Sequence, residues 1–254
     1  MKHRKNLLCA VIILLVFVIP IHSSLAKNEK HSRFFYEEKG EAIWEIPTSR
    51  KVVAITFDDG PSSEYTPRIL SLLDKYKAKA TFFVVGSRVV ENPEIVKNIV
   101  SSGHELANHT YSHPNFNGLP PEKMKEEMDK TYQSIKEIAH TRPKLFRPPG
   151  GYYNDPIVET ANDQGYTVVL WSWHQDTFDW RNPGVNSIVN KVLRKTRNGD
   201  IILFHDFGGD RTQTIQALEQ ILPELKKRGY EFITVSELVQ LSPKYRILNR
   251  LDPI

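Results

Sequence analysis

Five places in the chain set groups that bind cations or move protons beside apolar runs. "KVVAITF" (51–57) runs into Asp58, Asp59, Gly60 and Pro61. "HELANH" opens into "HTYSH", which carries His109 and His113. "KLFRPP" holds Arg147. "YTVVLWSW" leads into "HQDTFDW", with Asp176, Asp179 and Trp180, and "DIILFH" ends in His205 and Asp206. Two adjacent carboxylates at the end of a core strand repel each other, and burying either is costly unless something positive sits nearby. A divalent cation would offset that charge.

His109 and His113 are spaced i, i+4, so on a helical turn both imidazoles would project to one side and could grip one ion. One carboxylate of "TFDDG" completes a His₂Asp set. Three protein ligands leave a position open for water, the pattern of a catalytic rather than a structural zinc site. The other aspartate would stay unligated and act as base toward that water. "HTYSH" lacks the internal glutamate of the H-E-x-x-H proteases, so the base has to come from elsewhere in the chain. "DDGP" alone reads as a turn with Asp59 in an Asx-turn; beside the histidines, the cation reading is favoured.

The elements that must carry these groups alternate. From residue 51 onward there are seven strand-like runs: 51–57, 80–86, "HELANH", "KLFRPP", "YTVVLWSW", "DIILFH" and "EFITV". Helical spacing is read over 66–76, 93–103, 120–140, 155–164, 185–197 and 212–229, with "SELVQL" last. Thr66 is expected to cap the first of these helices, with Pro67 at its first position. Alternating βα units with nearly all-apolar strands imply a parallel sheet covered by helices, either a barrel or an open doubly wound sheet. No G-x-G-x-x-G follows the first strand, which weakens a dinucleotide fold. In both architectures the active site lies at the C-terminal ends of the strands, where these polar groups cluster.

Outside this region, "MKHRK" followed by "LLCAVIILLVFVIPI" and "SSLA" reads as a secretory signal peptide over 1–26, cleaved after Ala26. The alternative is an uncleaved membrane anchor. Cleavage would leave 228 residues and no cysteine, since Cys9 lies inside the signal. Disulfide and thiol chemistry are then excluded, and any metal must be held by His, Asp or Glu. The formal charge would fall from +4 to +1, with 31 basic against 30 acidic residues. The basic pI of the full chain is therefore a poor argument for nucleic-acid binding. Residues 27–49 read as a tether and a short strand or hairpin lead-in, 50–240 as a single catalytic domain, and 241–254 as a C-terminal tail.

"TFDDG", "HTYSH", "RPPGG", "DTFDW" and "LFHD", in this order, resemble the five motifs of the polysaccharide deacetylases, the NodB-homology domain of carbohydrate esterase family four. The resemblance covers roughly residues 50–240. It implies a distorted (β/α)₇ barrel. It implies Asp58 as general base, with Arg147 orienting it, and His205 as general acid tuned by Asp179. Asp59, His109 and His113 would hold a divalent metal, usually zinc. Trp180 and Leu203 would line a pocket for the acetyl methyl, and a backbone N–H at Gly150 would meet the oxyanion. Many members carry an aromatic residue where this chain has Gly150. Tyr152, Tyr153, Trp173 and Phe178 are candidates to stack on sugar rings, Tyr152 foremost. The expected activity is removal of N-acetyl groups from an amino-sugar polymer outside the cell. Peptidoglycan is the expected substrate and chitin oligosaccharides come next, with no nucleic acid and no obligate protein partner. The rivals are an O-acetyl esterase acting on xylan and a catalytically silent wall-binding module.

Overall fold

The computed structural model describes residues 31–242, 244 and 245. The signal-peptide reading and most of the C-terminal tail lie outside them. The strands are β1 (Ala42–Ile43), β2 (Val52–Asp58), β3 (Ala80–Val84), β4 (Glu105–Asn108), β5 (Leu145–Phe146), β6 (Thr167–Val169), β7 (Ile201–His205) and β8 (Glu231–Phe232). Every pairing between them is parallel, in the order β1-β6-β5-β4-β3-β2-β7, with β8 added beside the start of β2. The sheet curls until its two end strands approach. Irregular backbone bridges that seam: Ile46 N–H donates to Gly199 O at 3.0 Å and Ser172 N–H to Ile201 O at 3.0 Å.

Seven strands form the main path, as the sequence implies, but the membership differs. β8 pairs only with Val52 and Val53, while β1, from the stretch read as a lead-in, takes an end of the path beside β6. The helix α1 (Arg33–Lys39) precedes it and ends at Gly40, whose φ of 74° turns the chain back into β1. Trp44 and Tyr36 are fully buried. Residues 33–46 are thus built into the fold.

The other helices are α2 (Tyr65–Lys75), α3 (Gly86–Glu91), α4 (Pro93–Ser101), α5 (Pro121–Ala139), α6 (Asp155–Asp163), α7 (Val185–Lys195), α8 (Thr212–Lys227) and α9 (Val235–Val239). Strand parity sorts the core. Val53, Ile55 and Phe57 of β2 pack outward with Ile69 and Leu73 of α2 and Leu218 and Leu222 of α8. Val52 and Ala54 face inward with Phe83, Ala107, Leu145, Val169 and Ile201, and α9 closes that cluster with Val235 and Leu238. Inward positions are therefore apolar where the strands begin. Continued at the same parity, they become Thr56, Asp58, His109, Arg147, Trp171, Leu203 and His205 at the strand ends. One alternation builds both the core and the mouth of the barrel.

Thr66 is not the cap of α2. The helix starts one residue earlier with Glu64 at its N-cap, and the Ser62 hydroxyl accepts from the N–H groups of Glu64 and Tyr65. The Thr66 hydroxyl points instead under the "DDGP" turn, where it accepts from Ser62 N–H at 2.7 Å and donates to Asp206.

Candidate active site

At the strand ends a cleft of about 340 Å³ is lined by Asp58, Asp59, His109, His113, Gly150, Gly151, Trp171, Asp176, Trp180, Leu203 and His205. All eleven lie on the strands β2 and β7 or in the segments that follow β2, β4, β5 and β6.

Asp58 ends β2 and is buried. Arg147, wholly buried, donates to Asp58 Oδ1 at 2.6 Å, to Thr56 Oγ1 at 2.9 Å and to the carbonyls of Val169 and Leu170 at 2.9 Å each. Its guanidinium also lies 3.9 Å from the centroid of the Phe83 ring. Burial pulls the Arg147 pKa down while the charge of Asp58 pulls it up, and burial prevails. With every arm engaged, Arg147 can hold Asp58 in only one orientation, and Asp58 Oδ2 is left 3.9 Å from His109 Nε2.

Asp59 and the two histidines meet at one point. Asp59 Oδ1 lies 3.1 Å from His113 Nε2 and 3.4 Å from His109 Nε2, and the three ligand atoms lie within 4.8 Å of one another. The histidine pair does not sit on a helical turn. His109 N–H continues the ladder to Val84 O, and the chain then folds back through Thr110 (φ 68°) to His113 (φ 57°). A loop in left-handed conformations does what a helix was expected to do, because the ring of His109 has to point into the barrel mouth. Asp59 has φ 76°. Arg88 of α3 donates to its carbonyl oxygen and stacks on the Phe207 ring, 3.6 Å from the centroid, which fixes this uncommon backbone.

The donor set fits a cation. His109 Nδ1 lies 2.7 Å from Arg147 O, so this nitrogen carries the proton and donates it. Nε2 is then a bare lone pair aimed at a carboxylate. Lone pair and anion repel unless a positive charge stands between them, and a backbone bond on the other ring nitrogen is the usual support of a metal-binding imidazole. Burial works against the charge on Asp59, but the contacts with His109 and His113 overcome it and hold its carboxyl well below the usual range. The contact with Asp59 likewise raises the pKa of His113 against the effect of burial.

On β7, next to β2, His205 Nδ1 donates to Asp179 Oδ1 at 2.7 Å. Asp179 is fully buried and also accepts from His205 N–H at 2.9 Å and from the Thr214 hydroxyl at 2.8 Å. Arg211 donates to the Asp179 carbonyl at 3.0 Å. Burial would lower the pKa of His205. The bond to Asp179 and the charges of Asp179, Asp58 and Asp59 outweigh it and push the imidazole up to about 9. This favours the protonated imidazole, with Nε2 the nitrogen left toward the cleft.

The side wall is apolar: Leu203, Trp171 and Trp180. Trp171 was not singled out from the sequence, although it shares the parity of Val169 and could have been found that way. Its ring packs under Gly151, where an added Cβ would come within 2.5 Å of it. Tyr152 stands outside the lining residues; it is 44% exposed, with its ring edge beside Gly150. Tyr153 packs edge-on against Tyr36 and Trp44, at 5.9 and 5.0 Å between centroids, and lies half-buried against the core. Trp173 faces Arg33, 4.9 Å from its guanidinium.

Asp206 has the opposite parity to His205 and points away from the cleft, as strand alternation requires. Burial pushes its carboxyl up to about 7. It packs directly under the turn after Asp59: a Cβ on Gly60 would fall 2.2 Å from its Oδ2. Gly60→Ala is therefore expected to cost about 1–3 kcal/mol of stability through overpacking. Denaturant unfolding reads this directly, and an unchanged midpoint would show that Asp206 can give way.

Residues 45–169 match the family model described as polysaccharide deacetylase. A peptidoglycan-N-acetylglucosamine deacetylase of Bacillus cereus is 52% identical over 208 residues, covering 80% of this chain and 95% of that protein. A peptidoglycan N-acetylglucosamine deacetylase crystallised with 4-naphthalen-1-yl-N-oxidanyl-benzamide has a TM-score of 0.79 at 36% identity, covering 84% of this chain and 99% of that one. A pseudoenzyme of carbohydrate esterase family four from Bacillus anthracis has a TM-score of 0.72 at 33% identity, covering 79% of this chain and 69% of that one. The curled parallel sheet, the ordered strand-end groups and these similarities agree: the chain belongs to the polysaccharide deacetylases of carbohydrate esterase family four.

Proposed function

We propose that this chain is a zinc-dependent hydrolase that removes N-acetyl groups from the amino sugars of cell-wall peptidoglycan, acting outside the cell after loss of residues 1–26. The observation that carries this reading is a preset pair of proton carriers, side by side on β2 and β7, next to the Asp59-His109-His113 cluster. Asp58, locked by Arg147, keeps one oxygen open, while His205 is held in its protonated form by Asp179.

Asp59, His109 and His113 would hold the ion. A divalent cation there supplies Lewis acidity, lowering the pKa of water and polarising a carbonyl oxygen. Asp58 Oδ2 accepts the proton of the attacking water. His205 Nε2 gives its proton to the departing amine, which otherwise leaves very poorly. Water's hydroxyl ends on the acetyl carbon, the C–N bond breaks, and acetate and a free amine result. Gly150, at the cleft edge, offers backbone to the carbonyl oxygen. Leu203, Trp171 and Trp180 make an apolar wall suited to a methyl group. An acid kept charged at neutral pH favours an amide over an ester, because an alkoxide leaves more readily than an amide anion. The residues whose loss would make a silent wall-binding module are all in place.

Acetate release by the purified chain tests this, using peptidoglycan, N-acetylglucosamine oligomers and acetylated xylan, each with zinc and with chelator. Chelator-sensitive release from peptidoglycan is the expected result. Release from xylan alone would make the protein an esterase, and no release from any substrate by metal-loaded protein would favour the silent module.

The acid also makes a pH prediction. A general acid works below its pKa, so activity is lost as pH rises through the titration of His205. Asp179→Asn removes the charge that holds the proton. The alkaline limb of the pH–rate profile is then expected about 1–3 pH units lower. A limb that stays in place would separate it from His205.

A further inference from the structure

One wall of the cleft continues outward as a rim of rings and cations. Trp180 lines the cleft yet is 47% exposed, and Phe178, two residues earlier, is 37% exposed. The Arg181 guanidinium lies 4.4 Å from the Trp180 centroid and 5.5 Å from that of Phe178. Lys191 of α7 brings its ammonium to 5.0 Å from the same Phe178 ring. Among the described residues neither cation has a carboxylate within ion-pair distance, so both charges stand open at the lip of the cleft. Asp176 is an acid of the same cleft wall. Its Oδ1 accepts from Phe178 N–H at 3.1 Å, and it feels Lys191 only through space.

Aromatic faces hold a cation in place without neutralising it. A guanidinium laid on a ring keeps its edge donors free, and that edge matches a planar carboxylate. Two such cations at the lip of a glycan cleft are positioned for an anionic substituent on the strand, not for the sugar undergoing reaction. We propose that Phe178, Trp180, Arg181 and Lys191 form a subsite for a carboxylate carried by the glycan strand beside the acetylated sugar. The subsite makes the enzyme prefer peptide-substituted strands over neutral amino-sugar oligomers. This rests on the deacetylase reading above and names the substrate feature that the same cleft selects.

The test uses Arg181→Gln, Lys191→Gln and the double variant. The substrates are phosphate-free peptidoglycan strands, the same strands with their carboxylates amidated, and N-acetylglucosamine oligomers. The unchanged protein is expected to show kcat/KM about tenfold higher on native than on amidated strands, an advantage that shrinks as salt rises. The double variant is expected to lose that advantage through KM while its kinetics on the oligomers stay the same. Equal rates of the unchanged protein on native and amidated strands would overturn the proposal, as would equal losses by the variant on strands and oligomers. Retention of the metal-loaded protein on native against amidated insoluble wall reads the subsite without turnover. Preferential retention with no acetate from any substrate would refute the deacetylase reading and leave the subsite standing.

Discussion

Asp58→Asn is expected to lower kcat about 10²–10⁴-fold while leaving the metal content at that of the unchanged protein. The asparagine oxygen can still accept from Arg147, so the side chain keeps its place. What it loses is the ability to take a proton from water. The three cluster residues Asp59, His109 and His113 are untouched, and for that reason metal content and turnover should separate. Some stability is lost as well, because Arg147 would become a buried cation facing a neutral partner; removing one member of a buried pair outright costs about 3–5 kcal/mol. The assay is acetate release beside metal analysis on the same sample, with an unfolding curve to show that the variant is native. Turnover close to that of the unchanged protein would remove Asp58 from the role of base.

His109→Ala is expected to fail in the opposite order, losing the metal first and activity as a consequence. Losing even a supporting partner of a metal ligand weakens binding about 10–100-fold, and the loss of a ligand should exceed that. The substitution also removes the bond from Nδ1 to Arg147 O, which ties the second motif to the third. A ligand that binds only the native state stabilises it by about 4 kcal/mol at a thousand times its Kd. Added zinc should therefore raise the melting temperature of the unchanged protein and have no such effect on the variant. Zinc bound by the variant with undiminished affinity would exclude His109 from the ligand set.

Much of the site was legible because β-strands alternate with period two. Asp58, His109, Arg147 and His205 could be assigned to strand ends from apolar runs alone, and Asp206 could be set aside by parity. The readings that differed share a cause. α1 and β1 are short and lie in a charged stretch, and their pairing with β6 is long-range, so no local pattern marks them. The His109–His113 spacing suggested a helix, but the backbone takes left-handed turns that only surrounding packing enforces. Thr66 has the chemistry of a cap, yet a buried carboxylate from β7 claims its hydroxyl.

The sequence by itself determined which chemical groups stand at the ends of which strands, because burial of every second residue is a local constraint written into the order of side chains. It could not determine which strand ends are neighbours. That was decided by the sheet: β2 lies between β3 and β7, in a register that sets Asp58 directly opposite His205. A proposed base and acid from distant parts of the chain become neighbours only when the apolar flanks of those strands are buried together. Strand order and register are properties of that shared core and of no segment alone.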